Sequence, residues 1–263
     1  SYSDNIEVGK NAKAVIEGKG NYTGQLTAEF TIAKEVLDIS NAVISDIADQ
    51  YYNFGEELTP ALSVNLGGRK LTENVDYSVT YTDNIEAGTA TATVKGIDQN
   101  KGEVSKTFKI LPIDITTAEI ALVKDSYGFT GDAVTADVES ITVTRNGVKK
   151  VLTDLAGFEI TCTDNVNVGT ATVKIAAGEG QSYTGSTSTS FRIVAASIEQ
   201  AEVSVDSAVY TGSAITPVCR VVLGGKTLAE GVDYKVTVSG NVNVTDNALV
   251  TIEGTGNYTG KLS

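Results

Sequence analysis

An all-β chain, built as an elongated array of tandem antiparallel β-sandwiches, is what three features of the sequence predict. One phrase recurs four times: Asp4-Asn5-Ile6-Glu7-Val8-Gly9, Asp83-Asn84-Ile85-Glu86-Ala87-Gly88, Asp164-Asn165-Val166-Asn167-Val168-Gly169 and the degenerate Gly240-Asn241-Val242-Asn243-Val244-Thr245. The asparagines lie 79, 81 and 76 residues apart, the mark of one module in tandem. Between the phrases, apolar and polar residues alternate with a period of two, and turn residues recur about every 8–12 positions with almost no helical periodicity.

Residues 36–110 serve as the reference unit. Val43 to Tyr51 places Ile44, Ile47 and Tyr51 at helical spacing, yet it reads as strand and turn. Gly55 to Pro60 follows, in register with Gly131 to Ala136 and Gly212 to Pro217. A proline donates nothing to a ladder, so Pro60 and Pro217 predict edge strands carrying Leu62, Val64 and Leu66, or Cys219, Val221 and Leu223. Gly67-Gly68, Asn146-Gly147 and Gly224-Gly225 then fit two-residue primed turns, which need positive φ twice.

In the second half of the unit, Tyr77, Val79 and Tyr81 alternate with Ser78, Thr80 and Thr82, predicting a strand with one buried face. Phe158, Ile160 and Cys162 repeat the pattern, as do Tyr234, Val236 and Val238. The Asp-Asn phrase is a turn, because its short side chains bond nearby amides and tolerate left-handed backbone, and its glycine admits positive φ. Thr89 to Lys95 and Thr170 to Ile175 are β-favouring runs that close hairpins with the preceding strands. Gly-rich corners come next, as in Gly18 to Gly24, Gly180 to Gly185 and Gly254 to Gly260; the second copy has Gln99-Asn100-Lys101-Gly102 instead. The last strand ends in Phe30-Thr31-Ile32, Phe108-Lys109-Ile110 or Phe191-Arg192-Ile193. About seven short strands per unit make the sandwiches immunoglobulin-like, without the Cys, Trp, Cys signature of antibody domains.

Repeat edges after Ile32, Ile110 and Ile193 divide the chain into residues 1–32, the second half of a repeat; 33–110 and 111–193, complete repeats; and 194–263, a repeat lacking its last strand. The connections are short and apolar, so the array is expected to be semi-rigid and on the order of 100 Å long. Because Ser1 falls inside a repeat, the chain is expected to be part of something longer. Its orphan terminal strands could be ordered by pairing with a neighbouring molecule.

With 33 acidic and 20 basic residues the net charge is -13, which speaks against nucleic-acid partners and anionic membranes. No run approaches the ~20 apolar residues of a membrane span. Cys162 and Cys219 occupy core-like positions in different repeats and read as small buried hydrophobes. Histidine is absent, removing Ser/His/Asp and Cys/His triads and the commonest zinc ligand. Two carboxylates could still support a glycosidase, with Glu56-Glu57 and Asp125 available, but no pattern marks a cleft. The chain reads as non-enzymatic, with no cofactor required.

Two sets of candidate ligand residues remain. Asp4, Asp83 and Asp164 recur beside asparagine, with Glu7 or Glu86 further along, and clustered oxygens can hold calcium structurally; turn formation explains the same residues. Tyr22, Tyr183 and Tyr258 sit in the Gly-rich corners, where an exposed ring can stack on a sugar and a buried one packs over its own corner. Asn21-Tyr22-Thr23, Asn243-Val244-Thr245 and Asn257-Tyr258-Thr259 also match the N-glycosylation triplet, a match read as incidental in a bacterial chain.

Leu71-Thr72-Glu73-Asn74-Val75-Asp76-Tyr77, Asp164-Asn165 to Val173, and Gly256-Asn257-Tyr258-Thr259-Gly260 resemble the bacterial immunoglobulin-like repeats of Gram-positive surface and secreted proteins, along the whole chain. The resemblance implies an extracellular location at a bacterial cell surface or in a secreted protein, and a role as stalk or adhesin segment that spaces or displays other domains. A carbohydrate- or host-protein-binding module, and a filament subunit completed by strand exchange, are the alternatives. A glycan or host surface protein would be the partner of the former; self-association through the incomplete terminal repeats would serve the latter. In such sandwiches Lys–Asn isopeptide bonds need a buried lysine, asparagine and carboxylate together.

Overall fold

The computed structural model describes residues 1–145, 147–244 and 248–263, so Asn146 of the second primed turn and Thr245 of the fourth phrase lie outside the described residues. The described chain is β-structure and loops, with one 3-10 turn at Ile39–Asn41 and no α-helix. It divides into two compact units, Ser1–Leu111 and Pro112–Ser263.

In the first unit, residues 36–111 form two sheets. The smaller pairs Val43–Ile44, Val64–Leu66 and Arg69–Lys70. The larger runs in the order Gln50–Tyr51, Glu103–Leu111, Gly88–Gly96, Tyr77–Thr82. Ile44 and Val64 from one sheet and Tyr77 and Val94 from the other share a single buried cluster, completed by Leu37, Ile39 and Leu71. Strand alternation explains the split: Ala90, Ala92 and Val94 point inward and are fully buried, while the threonines between them face out. The inward alanine has a specific use. Ala90 lies opposite Phe108, as Ala171 lies opposite Phe191, so a small residue makes room for the ring beside it.

The second unit repeats this plan over residues 113–194, with sheets Glu119–Leu122, Val138–Arg145, Val148–Leu152 and Ser126–Gly128, Ser186–Val194, Gly169–Ala177, Phe158–Thr163. Residues 196–263 follow with Glu202–Val205, Cys219–Leu223, Lys226–Thr227 and Tyr234–Ser239, Leu249–Gly254, Lys261–Leu262. Gly67 and Gly68 (φ 58° and 85°) and Gly224 and Gly225 (φ 55° and 82°) make the two-residue primed hairpins.

Three expectations need correction. The large sheets are mixed: Gln50–Tyr51 runs parallel to Ile110–Leu111, and Ser126–Gly128 parallel to Arg192–Val194. The chain leaves the small sheet, crosses over and covers the outer edge of the last strand, which would otherwise stay unpaired. The strands after Pro60 and Pro217 are central, because both prolines stop short of the paired residues Val64–Leu66 and Cys219–Leu223. In the third repeat Ile160, expected to face inward, is 38% exposed, and nothing in the structure explains it.

Residues 1–32 form a sheet within their own chain, Tyr2–Ser3, Gly9–Glu17 and Gln25–Ile32. The register matches that of the complete repeats, Ala12 opposite Phe30, but the face that Phe108 and Phe191 bury is open here: Phe30 is 38% and Ile16 59% exposed.

The connections are more than short apolar tethers. Ile39, Ile115 and Ile198 are fully buried plugs. Each donates its amide to the corner of its own repeat, at Lys101 O (2.7 Å), Thr184 O (2.9 Å) and Thr259 O (2.8 Å). The residue before each plug, Asp38, Asp114 or Ser197, bonds the amide two positions on, fixing the turn that aims the isoleucine inward.

Candidate functional site: a joint between two repeats

The recurring asparagine is a clip. Asn165 Nδ2 donates to Val134 O at 2.8 Å while Val134 N donates back to Asn165 O at 2.8 Å. Asn84 makes the same pair with Leu58 (3.1 and 2.9 Å) and Asn241 with Ile215 (2.8 and 3.2 Å). The aspartate before the first three copies supplies the left-handed residue, with φ of 53° at Asp4, 56° at Asp83 and 55° at Asp164. That conformation is several-fold enriched in Asn and Asp, which accounts for the residue type without a ligand. All three aspartates are exposed, and among the described residues no three acidic, cysteine or histidine side chains gather as a metal site. Glu56, Glu57 and Asp125 are exposed on loops.

In the second unit the third-repeat clip does further work, because it presents Asn167 and Val168 to the corner of the fourth repeat. Asn257 Nδ2 donates to Asn167 Oδ1 at 3.0 Å, and Asn257 Oδ1 accepts from Val168 N at 2.8 Å. One amide side chain thus satisfies a side chain and a backbone group of the preceding repeat, which fixes register as well as contact. Beside it the ring of Tyr258, only 6% exposed, meets Phe129 edge-on, with centroids 5.4 Å apart and planes at 84°. Lys226, just past the Gly224-Gly225 turn, places its ammonium 5.9 Å from the Phe129 centroid. Such edge-to-face pairs contribute about 0.5–1.5 kcal/mol beyond area burial, and an exposed cation over a ring about 0.5–1 kcal/mol.

Phe129 is the centre of the joint. It packs against the buried cluster of the third repeat, with Ala171, Phe191 and Ile193, and also against that of the fourth, with Ile198, Tyr258 and Ile252. Ser126–Gly128 holds it there by pairing with Arg192–Val194, and Phe129 N continues the ladder to Val194 O at 2.9 Å. Across the connection Ala196–Ser197 runs parallel to Tyr258–Thr259, so the corner is tied to the linker as well as to the turn.

The candidate tyrosines therefore take three different places. Tyr258 is buried in the joint, Tyr183 is half-buried against Phe158 with centroids 5.1 Å apart, and Tyr22 stands 78% exposed. Phe129 and Lys226 were not singled out from sequence, and Asn167 and Asn257 entered only as members of a recurring phrase and of a glycosylation triplet. The signal available was the second asparagine of the third phrase, which no solvent-facing turn requires.

Elsewhere, Cys219 is buried and Cys162 half-buried, and both are free thiols; burial first, then Glu230, pushes the Cys219 thiol pKa up. No lysine is among the buried residues described, as an isopeptide bond would need. Two clefts lie beside Leu249–Gly254, which is paired to Lys261–Leu262 at Ile252 and Glu253. Val205, Val250 and Ile252 line them at positions that Phe191 and Ile193 cover in the third repeat.

No family model matches this chain, and none of the curated proteins matches it. Among solved structures, the extracellular cadherin domains 1–4 of protocadherin gamma B7 align at 11% identity over 90% of this chain and 77% of that one. The TM-score of 0.21 is too low for common geometry to carry an argument. Among the described residues no helix is long and apolar enough to cross a membrane.

Proposed function

We propose that the chain is a non-enzymatic spacer: a stalk or adhesin segment of tandem immunoglobulin-like sandwiches, in a bacterial cell-surface or secreted protein, that holds other domains at a set distance and orientation. The observation that carries this reading is the joint, where Phe129 belongs to two cores at once and Asn257 is bonded at both ends of its amide. A flexible tether has neither feature. A spacer needs no pocket, only modules that resist bending, and rigidity at a junction comes from directional bonds plus shared packing. The carbohydrate-binding alternative rests mainly on Tyr22, since Tyr258 is committed to the joint and Tyr183 packs against Phe158.

Spin labels placed on exposed strands of the third and fourth repeats test the reading through the width of their distance distribution. The chain should give a single narrow distribution, and Phe129→Ala combined with Asn257→Ala should broaden it without changing the β content. A distribution already broad in the unaltered chain would refute the spacer reading.

A further inference from the structure

We propose that residues 33–36, which join the first repeat to the second, are an ionic hinge: Lys34 and Glu35 latch the linker onto Asp98 and Arg69 of the second repeat, and the chain bends there when salt releases them. The hinge gives the spacer one place to bend, and so rests on the spacer reading.

This linker is built unlike the others. Ile39 follows Ile32 by 7 positions, whereas the plugs Ile115 and Ile198 follow Ile110 and Ile193 by 5. Ile113–Asp114 and Ala196–Ser197 are each held in a two-residue parallel ladder with the corner of their own repeat, at Tyr183–Thr184 and Tyr258–Thr259. In the second repeat a single bridge, Asp38 to Lys101, stands in that place, and residues 33–36 belong to no strand. A few residues that no ladder holds are where a chain absorbs a change of direction.

The second repeat also keeps to itself the groups that the fourth sends across its joint. Its corner has the same backbone, with Gly96 N donating to Gly102 O at 3.0 Å as Gly254 N does to Gly260 O at 3.0 Å. Tyr258 meets Phe129 of the preceding repeat, but Asn100, in its place, is turned inward and 6% exposed. Asn100 Nδ2 donates to Asp76 O at 2.9 Å, and its Oδ1 accepts from the linker at Leu37 N, 3.1 Å away. Lys226 lies over Phe129, but Arg69, in its place, bonds Glu35 of the linker at 3.2 Å and the buried Asp76 at 3.5 Å. Gln99 stands exposed where Asn257 makes both of its amide bonds. All of these groups lie within residues 33–102, so the difference is the second repeat's own.

What holds the linker is charge. Lys34 Nζ lies 3.9 Å from Asp98 Oδ2, and Glu35 Oε2 lies 3.2 Å from Arg69 Nη1, with all four side chains well exposed. Asp98 occupies a left-handed position (φ 56°) that is glycine in the first and fourth corners, Gly20 and Gly256 (φ 69° and 63°), so its charge is not something the turn requires. Exposed ion pairs hold weakly and are screened by salt. The joint between the third and fourth repeats gives salt little to act on, because amide bonds and ring packing carry it. One chain thus holds a stiff joint and a releasable one.

Spin-label distance distributions across two places in the chain decide the matter: Thr27→Cys with Thr80→Cys spans the linker, and exposed strand positions of the third and fourth repeats span the internal joint. Between about 20 mM and about 1 M salt, where the screening length falls to about 3 Å, the first distribution should broaden about twofold and the second should keep its width. Lys34→Glu combined with Glu35→Lys breaks both ion pairs at unchanged net charge and should broaden the first distribution already at low salt. Both positions are exposed, so circular dichroism should show unchanged folding. A first distribution that ignores salt, whether narrow or broad, or one that stays narrow at low salt in the charge-exchanged chain, would overturn the hinge alone. A broad distribution across the internal joint instead rejects the spacer reading on which the hinge rests.

Discussion

Gly185 has no room for a Cβ: one built there would lie 2.6 Å from Asp114 Oδ1 and 2.9 Å from Thr116 Cγ2, on a backbone with φ of 83°. Gly180 shares the positive φ, at 70°, but faces open space. The pair separates two costs. Gly180→Ala should cost about 1 kcal/mol, the strain of a left-handed residue, whereas Gly185→Ala should cost roughly 2–4 kcal/mol because it also displaces the Asp114 turn that positions Ile115. Urea unfolding of the two variants checks this, and equal losses would contradict it. The glycine itself was legible from the corner motif. Its neighbour was not, because the Asp-Ile and Ser-Ile pairs ahead of each plug look like ordinary linker until the corner is seen folded onto them. Asp83 and Asp164 show the converse. Their recurrence beside asparagine was plain, but a left-handed turn and a cation ligand call for the same residue type, and only the clip geometry distinguishes them.

Period-two alternation located the strands because burial on one face is a local rule, whereas pairing partners are not local. The parallel pairing of Gln50–Tyr51 and Ser126–Gly128 with the last strands, and the central place of Val64–Leu66, depend on where the chain crosses between sheets, which alternation does not encode. The last strand itself can be tested as an element. Ser263 aligns with Ser188, so appending the third repeat's residues Thr189–Val194 after Ser263 sets the new phenylalanine opposite Ala248 and carries the isoleucine into the open cleft. Burying those two side chains, at about 1.5–3 kcal/mol each, should stabilise the fourth repeat by a few kcal/mol. The same extension with both apolar residues changed to serine should not. Hydrogen exchange at Val250 and Thr251 provides the readout, since their strand would gain its second neighbour. Unchanged exchange in the apolar extension would mean that the cleft is not a strand position.

Charge acts on the molecule as a whole, and its sign can be worked out group by group. Asp38 is held below the usual carboxylate range by its bond to Ser40, Asp46 by Lys106 at 2.8 Å, and Glu253 first by Lys235 at 2.9 Å and then by Lys261 at 3.3 Å. A carboxyl whose folded pKa is depressed adds stability above its unfolded pKa, about 4, and that contribution disappears as pH falls through the lower folded value. Tyr77, Tyr81 and Tyr234 shift the other way, chiefly through burial, and so does the Cys219 thiol. Their contribution is complete below the unfolded values, about 8.5 for the thiol and 10 for the phenols, and is lost as pH rises through the raised folded ones. Between these limits no side chain is left to titrate at its ordinary pKa, because the chain has no histidine. Melting temperature should therefore be flat from about pH 5 to 8 and fall on both sides. The net charge of -13 adds a broad repulsion at neutral pH that salt screens, so raising ionic strength should lift the plateau without bending it. Thermal unfolding followed by circular dichroism over this range tests the account. A step within the plateau would contradict it.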